Sequence, residues 1–278
     1  MTTRAQDFEF VRKLVRDRSA LALDEGKDYL VEARLAPIVR REGLGSLAEL
    51  AGVLRSGNAR LSDDVVDALM TNETSFFRDV HPFEALREHV IPQRGSRPLS
   101  IWSAATATGQ EAYSIALTVM EQCGAAAGVT IFASDLSCQA LDRAKTGRFT
   151  QLEVNRGLPA QLLVKYFRRE GREWQLDERV RRLVTFSQVN LARDLVGIAP
   201  MDVIFLRNVL IYFDSPTKAA VLDRVSRVLR PGGYLFLGSA ETTYGIDASY
   251  ERVQLGRATC YRLTGGGRSE GGDTRDRY

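Results

Sequence analysis

The sequence predicts an α/β protein, with a helical amino-terminal domain followed by a doubly wound sheet. Two patterns support this fold class. Between residues 7 and 90, apolar residues recur with a period near 3.6, which indicates short amphipathic helices. From residue 99 onward, short apolar runs alternate with helical patterns, which is typical of a parallel sheet with helices on both faces. We therefore expect a helical domain over residues 1–92 and a sheet domain over residues 93–264.

The helical domain is predicted to contain four short helices before residue 71. Their apolar positions fall within residues 11–15, 31–39, 47–54 and 65–70, and glycines separate the second, third and fourth helices. A further helix is predicted to begin at Pro82, because proline is favoured in the first turn of a helix. On the second helix, Lys27, Arg34 and Arg41 lie seven residues apart and form one basic stripe. Such a stripe is ordinarily a solvated helix edge.

The stretch from Leu99 to Leu117 predicts a buried strand, a turn of small residues and the start of a helix. In a parallel sheet such a turn lies at the carboxyl end of its strand, where ligands bind. The turn contains only Gly109, and no Gly-Lys-Ser/Thr follows, which argues against a dinucleotide fingerprint and a P-loop. Asp135 ends the next apolar run, where a nucleotide site has an acidic residue that accepts hydrogen bonds from the ribose hydroxyls. An aspartate after a strand is also a common helix N-cap. A nucleotide-like ligand without a diphosphate, such as S-adenosylmethionine, suits this pattern.

The remaining apolar runs complete the predicted sheet. The predicted elements are a helix at 141–146, strands at 183–186, 202–206 and 234–238, and an antiparallel hairpin of 252–255 with 259–263. Ser215 and Pro216 are predicted to begin the last helix, and residues 231–233 to end it. Residues 165–182 predict a small inserted antiparallel subdomain with a tight turn at Glu170-Gly171. Residues 265–278 lack an apolar period and are predicted to be a disordered tail.

Composition excludes several classes of function. The net charge of the 278 residues is only +3, which does not indicate nucleic-acid binding. No apolar run is long enough for a membrane span, and the amino terminus lacks the apolar core of a signal peptide, so no direct membrane insertion is expected. The three cysteines are far apart and there are two histidines, which argues against a metal site or a disulfide framework. We expect a cytoplasmic protein.

Four motifs, in this order, resemble those of the CheR family of chemotaxis receptor methyltransferases. They are Thr71-Asn-Glu-Thr-Ser-Phe-Phe-Arg-Asp79, Trp102-Ser-Ala-Ala-Thr-Ala-Thr-Gly-Gln-Glu-Ala-Tyr-Ser114, Phe205-Leu-Arg-Asn-Val-Leu-Ile-Tyr-Phe213 and Leu229-Arg-Pro-Gly-Gly-Tyr-Leu-Phe-Leu-Gly238. The resemblance implies a helical domain, then a seven-stranded Rossmann-like methyltransferase domain with a small inserted antiparallel β-subdomain. It also implies methyl transfer from S-adenosyl-L-methionine, with S-adenosyl-L-homocysteine as product, to glutamate carboxylates of methyl-accepting chemotaxis receptors. The implied partner is the cytoplasmic helical region of the receptor, and a monomer is expected.

The resemblance also implies the residues of the site. The implied cofactor-binding residues are Asn72, Thr74, Arg78, Glu111, Asp135, Asn190, Leu191, Arg207 and Asn208. Asp135 would accept hydrogen bonds from both ribose hydroxyls. Asn190 would hold the adenine by a hydrogen bond of its amide, and Leu191 by an apolar contact. Arg78 and Tyr212 are the implied catalytic residues. The Arg78 guanidinium could clamp the methionine carboxylate of the cofactor or guide the incoming substrate carboxylate, and Tyr212 would line the transfer site. In this context Lys27, Arg34 and Arg41 become candidate binding residues for an acidic receptor.

The sequence departs from the family's pattern in the turn after the first strand. Ala105, Thr106, Gln110 and Ala112 stand where the family commonly has glycine, cysteine, glutamate and proline. A methyl group at Ala105 could crowd the methionine moiety. Two alternatives therefore remain: a non-catalytic regulator that binds S-adenosylmethionine or S-adenosylhomocysteine, and an enzyme that methylates a small molecule. Because the inserted segment is short, we also expect no binding of a free receptor tail peptide.

Overall fold

The computed structural model describes residues 4–264, except 24, 25 and 125–127. The chain begins with α1 (Arg4–Ser19), α2 (Asp28–Arg41), α3 (Leu47–Arg55) and α4 (Ala59–Leu69). These helices confirm the predicted four. The side chain of Asn58 caps α4 by accepting a hydrogen bond from the Leu61 N–H at 3.0 Å. Apolar faces of all four helices form a separate core around Val11, Leu35 and Val65.

A connecting segment of residues 70–80 leads from the helical bundle to a second helical stretch. This stretch comprises α5 (His81–Ala85), one π-helical turn (Leu86–Val90) and α6 (Ile91–Gln93). The predicted helix near Pro82 is confirmed. Phe83 and Leu86 are buried in the main core of the sheet domain, so this stretch packs with the sheet rather than with the bundle.

From residue 99 onward, strands and helices alternate as predicted. The elements are β1 (Leu99–Ala104), α7 (Gln110–Cys123), β2 (Val129–Asp135), α8 (Cys138–Thr146), β3 (Arg148–Thr150), α9 (Gln151–Asn155), α10 (Ala160–Tyr166), β4 (Phe167–Glu170), β5 (Glu173–Leu176), α11 (Glu178–Arg181), β6 (Val184–Gln188), β7 (Met201–Leu206), α12 (Ser215–Val228), β8 (Leu229–Leu237), β9 (Tyr250–Leu255) and β10 (Ala258–Leu263).

The main sheet has seven strands in the order β6-β2-β1-β7-β8-β10-β9. The first five are parallel, and β10 pairs antiparallel with both β8 and β9. Successive side chains point to opposite faces: Ile101 packs in the core that contains α7, whereas Trp102 packs in the core that contains α12. The sheet is thus buried on both faces, which explains its continuous apolar strands. The doubly wound fold and the closing hairpin are confirmed.

Two local predictions in the last crossover are wrong. Asp214, not Ser215, is the N-cap of α12, and its carboxylate accepts from the Thr217 N–H at 3.0 Å. The final parallel strand begins at Leu229 rather than near residue 234, because Leu229 already pairs with Met201. The Pro-Gly-Gly sequence therefore forms a bulge within β8, where the register shifts between Met201 and Val203, instead of separating helix from strand.

The inserted segment forms a second sheet of three antiparallel strands in the order β3-β5-β4. The predicted hairpin is confirmed, but its two-residue turn is Gly171-Arg172, one residue later than the predicted Glu170-Gly171, because Glu170 pairs with Glu173. Strand β3 lies outside the predicted range, because three residues are too few to give a period. The boundaries at residues 92 and 264 stay predictions, and the predicted disorder of residues 265–278 lies outside the described residues.

Candidate active site

A cavity of about 350 Å³ lies at the carboxyl ends of β1, β2, β6 and β7, between the sheet and the helical bundle. The chain winds from β1 through β2 to β6 on one side and from β7 to β8 on the other, so the strand order reverses here. This reversal is where open α/β sheets bind ligands. The volume falls within the range of roughly 300–1,000 Å³ that is usual for small-molecule sites.

The cavity brings together nearly all the residues that the sequence indicated. Its lining includes Lys27, Arg34, Asn72, Thr74, Arg78, Glu111, Asp135, Asn190, Leu191, Arg207, Asn208 and Tyr212. Arg41 is not part of this lining. The functional roles of these residues stay predictions, but the residues converge on one cavity from six parts of the fold: α2, the segment 70–80, α7 and the ends of β2, β6 and β7.

Asp135 ends β2 with its carboxylate buried in the turn. One carboxylate oxygen accepts from the Ala107 N–H at 2.7 Å, and the other accepts from the Ser137 N–H at 2.9 Å. Burial raises the pKa of Asp135, although these backbone donors act in the opposite direction. Each oxygen can accept a further hydrogen bond. Asp135 therefore both holds the turn between β1 and α7 and presents an acceptor to the cavity.

Next to Asp135, the cavity wall is apolar. Leu136, Val189 and Leu191 line it. The Asn190 side chain lies between them but is engaged within the protein: its amide donates to the Arg18 carbonyl at 2.7 Å, and its oxygen accepts from the Ala192 N–H. Asn190 thus ties the end of α1 to the sheet domain as well as lining the cavity.

Arg207 at the end of β7 is the centre of a buried polar network. Its guanidinium donates to Glu111 at 3.0 Å, to Asp79 at 2.6 Å and to the carbonyl of Arg78 at 2.8 Å. The side chain is 1% exposed. Breaking a buried pair by removing one partner costs about 3–5 kcal/mol. Arg207 therefore stabilises the connecting segment against the sheet, a role that the motif alone did not indicate.

Glu111 lies in the first turn of α7 and faces the same network. It accepts from the Ser103 hydroxyl at 2.8 Å in addition to Arg207. Burial raises the pKa of Glu111, while the Arg207 charge and these hydrogen bonds favour the ionised form. The carboxylate is consequently held in a fixed orientation at the cavity wall.

Arg78 is half-buried, and its guanidinium forms no ion pair with any residue that the structure describes. Its backbone neighbours are strained: Phe77, Asp79 and Val80 have φ angles of 47°, 64° and 42°. Non-glycine residues rarely adopt such angles, and the strain costs about 1–3 kcal/mol at each position. The fold thus maintains a costly conformation that places an available cation in the cavity lining.

The turn after β1 is also strained. Ala105 and Ala107 have φ angles of 60° and 50°, in the left-handed region that favours glycine. Ala105 lines the cavity, so its methyl group occupies space at the ligand wall. Gly109 begins α7 with a φ of 93°, and an added Cβ would lie 2.9 Å from the Cβ of Ala144. Glycine is required at Gly109, whereas Ala105 is tolerated at a cost.

The basic stripe on α2 is largely engaged within the bundle. Arg34 donates to the Leu69 carbonyl at 2.7 Å and to the Thr71 hydroxyl at 3.3 Å, which caps the end of α4. Arg41 pairs with Asp64 and, at 2.8 Å, with Glu42. The stripe is therefore less strongly basic than its sequence suggests, and its receptor-binding role stays a prediction.

Glu241 is a further residue of the site that no motif in the sequence indicated. Its carboxylate accepts from the backbone of the turn that contains Asn208, so it supports the cavity from the side of β8. The only signal in the sequence is an acidic residue shortly after a strand end. Among the described residues, no cluster of His, Cys, Asp and Glu could hold a metal ion, and no helix is long and apolar enough to cross a membrane.

The chemistry of the donor set fits S-adenosylmethionine better than a phosphorylated nucleotide. An apolar wall beside Asp135 suits a nucleoside. The Arg78 guanidinium suits a carboxylate, either that of the cofactor's methionine or that of an incoming substrate. The turn before α7 has alanines where a diphosphate would require close approach to backbone glycines. A doubly wound sheet with an antiparallel closing hairpin and this type of cavity defines a methyltransferase-type α/β protein.

Comparison with known families identifies the chain more closely. The model described as "CheR methyltransferase, all-alpha domain" matches residues 6–70, and that described as "CheR methyltransferase, SAM binding domain" matches residues 72–258. The chain belongs to the CheR methyltransferase family, and its second domain is an S-adenosylmethionine-binding methyltransferase domain.

Named relatives align over most of the chain. Chemotaxis protein methyltransferase 1 of Pseudomonas aeruginosa is 38% identical over 272 residues, which cover 94% of this chain and 99% of the relative. Chemotaxis protein methyltransferase 2 of the same organism is 40% identical over 245 residues, covering 85% and 86%. The chemotaxis protein methyltransferase of Vibrio anguillarum is 36% identical over 271 residues, covering 95% and 98%.

Proposed function

We propose that this protein transfers a methyl group from S-adenosylmethionine to glutamate side chains of methyl-accepting chemotaxis receptors. The observation that carries the proposal is the convergence of Asp135, Arg78 and Tyr212 on one cavity at the carboxyl edge of the sheet. Family membership and relatives named as chemotaxis protein methyltransferases support the substrate class.

The cavity residues divide between cofactor and acceptor. Asp135 accepts hydrogen bonds from the ribose hydroxyls, and Leu136 and Leu191 contact the adenine, because these residues form the acidic and apolar wall. Asn72, Thr74, Glu111 and Asn208 hold the remaining polar groups of the cofactor, with Arg207 fixing Glu111. When bound, the cofactor supplies an electrophilic methyl group on a sulfonium.

Arg78 and Tyr212 then serve the carboxylate that is methylated. Arg78 offers a guanidinium that is unpaired among the described residues, and a guanidinium can orient a carboxylate through two parallel hydrogen bonds. No general base is required, because a glutamate with an ordinary pKa near 4.3 is ionised at neutral pH. The protein contributes positioning, with reacting atoms about 3–3.5 Å apart, and partial exclusion of water.

The helical bundle supplies the surface that faces the receptor. Lys27 and Arg34 line the cavity on the bundle side, while Arg41 continues the stripe away from it. We propose that the cytoplasmic helical region of the receptor binds along this stripe, and that the protein acts in the cytoplasm as a monomer. Electrostatic attraction of an acidic receptor would mainly raise the association rate and would weaken with salt.

The proposal is tested by incubating the protein with methyl-labelled cofactor and cytoplasmic receptor fragments. We expect label on the receptor that is released by alkali, as a methyl ester requires. Arg78→Ala should reduce transfer at least about tenfold, because it removes a charged hydrogen-bond donor. Arg87→Ala is the matched control, since Arg87 is an exposed arginine paired with Glu88 outside the cavity.

A second candidate is a non-catalytic regulator that binds S-adenosylmethionine or S-adenosylhomocysteine. The strained Ala105, whose methyl group lines the cavity, is the observation that favours it. Cofactor binding without transfer to any receptor fragment would support this candidate over the enzyme.

A further inference from the structure

Glu241 follows β8 and lies opposite the turn that contains Asn208 and Tyr212. One carboxylate oxygen accepts from the Asn208 N–H and from the Gly238 N–H, each at 2.7 Å. The other oxygen accepts from the Ile211 N–H at 3.3 Å. A single side chain therefore satisfies three backbone donors from the ends of two neighbouring strands.

The turn that Glu241 holds is conformationally unusual. Asn208 has a φ of 58°, and asparagine is among the few non-glycine residues that tolerate this region. A single 3₁₀ turn, Leu210–Tyr212, follows and leads to Tyr212 in the cavity lining. Two internal hydrogen bonds form the turn, from the Tyr212 N–H to the Val209 carbonyl at 3.1 Å and from the Phe213 N–H to the Leu210 carbonyl at 3.0 Å. The N–H groups of Asn208 and Ile211 have no such partner within the turn and donate to Glu241 instead.

Gly238 makes the close approach possible. A Cβ at this position would lie 2.6 Å from the Asn208 side-chain nitrogen and 2.7 Å from a Glu241 oxygen. The end of β8, the carboxylate and the Asn208 turn are therefore packed without space for a methyl group. Any displacement of Glu241 must move the turn or leave its donors without an acceptor.

Glu241 also lies at the boundary between two cavities. It lines a second cavity with Asp79, Gly238 and Tyr244, whereas its hydrogen-bond partner Asn208 lines the cofactor cavity. It is thus outside the lining of the cofactor cavity but in contact with a residue of that lining.

We propose that Glu241 is a positioning residue for methyl transfer, which acts by fixing the Asn208–Tyr212 turn. The effect on methyl transfer rests on the proposed function. The structural part of the proposal, the carboxylate clamp on three amides, can be measured without a receptor.

The first measurement is amide hydrogen exchange in the full chain. In Glu241→Ala, exchange at Asn208, Ile211 and Gly238 should accelerate at least about tenfold, because each amide loses its acceptor. Glu241→Gln should give an intermediate effect, since its single carbonyl can serve only part of the set. The control is Glu251→Ala, which replaces an exposed residue on β9 and should leave the exchange rates of these amides unchanged.

The second measurement is steady-state methylation of receptor fragments by the same folded variants. Glu241→Ala should lower kcat by about 10- to 100-fold, as expected for misplacement of reacting groups, and should weaken S-adenosylhomocysteine binding by a smaller factor. Glu241→Gln should recover part of kcat. A merely structural role would instead lower thermal stability without lowering kcat at a temperature where the variant is folded.

The outcomes separate the two proposals. Unchanged exchange in Glu241→Ala overturns the clamp, and accelerated exchange with kcat equal to that of Glu251→Ala overturns the positioning role. If the unaltered protein transfers no methyl group to any receptor fragment, the proposed function fails, while the exchange data still decide whether Glu241 holds the turn.

Discussion

Replacement of Asp135 by asparagine tests the cofactor cavity most sharply. The asparagine keeps the size of the side chain but replaces one acceptor oxygen by an NH₂ group and removes the charge. A hydrogen bond to a charged group contributes about 1.5–3 kcal/mol, so loss of one ribose contact should weaken binding by about 10- to 100-fold. Asparagine is preferable to alanine because its one oxygen can still accept from the Ala107 N–H or the Ser137 N–H, whereas alanine leaves both of these turn donors without an acceptor.

The assay is calorimetric titration with S-adenosylhomocysteine at a temperature well below the unfolding transition of each variant. The matched control is Asp142→Asn, which alters an exposed aspartate on α8 that pairs with Lys145. We expect the control to bind within about twofold of the unaltered protein, as surface changes away from a site usually have small effects. A folded Asp135→Asn variant with unchanged affinity would refute the ribose assignment.

The strained turn after β1, the buried Asp135 carboxylate, the basic stripe and the inserted hairpin can each be tested by one measurement. Ala105→Gly should raise the melting temperature by about 1–4 °C by relieving left-handed strain, whereas Ala104→Gly, in regular β1, should lower it. An equal decrease in the melting temperature of both variants would contradict this. Because burial raises the pKa of Asp135 and ribose donors favour its ionised form, S-adenosylhomocysteine affinity should fall as pH is lowered through that pKa, and Asp135→Asn should flatten the profile. Arg41→Glu should slow receptor methylation at low salt without changing cofactor affinity, and an unaltered rate would make the stripe a solvated edge. Receptor carboxyl-terminal pentapeptides should not bind at micromolar concentration, because the hairpin at residues 170–173 has a two-residue turn; a saturable isotherm would contradict this.

Much of the fold could be predicted because it depends on local periodicity. The change from strand to helix period around Gly109 located β1 and α7, and the apolar run ending at Asp135 located β2. Short or irregular elements were not predicted. Strand β3 has only three residues, and the bulge in β8 places Pro and Gly within a paired strand. Composition cannot distinguish such a bulge from a helix terminator.

The site was predictable as a set of residues but not as a network. Motifs pointed to Arg207 and Glu111, yet their mutual ion pair depends on how β7 and α7 pack, which no local pattern encodes. Arg34 and Arg41 are similar: their spacing was visible, whereas their partners at Leu69 and Asp64 come from α4. Long-range partners of charged side chains therefore required the structure.

In the proposed reaction, the acceptor is a glutamate carboxylate of a chemotaxis receptor. The most direct test is tandem mass spectrometry of a receptor fragment after incubation with the protein and S-adenosylmethionine. We expect methyl esters on glutamate side chains, which are lost after alkaline treatment and are absent when those glutamates are replaced by alanine. Methyl groups on nitrogen atoms, or transfer to small molecules with none on the receptor, would contradict it.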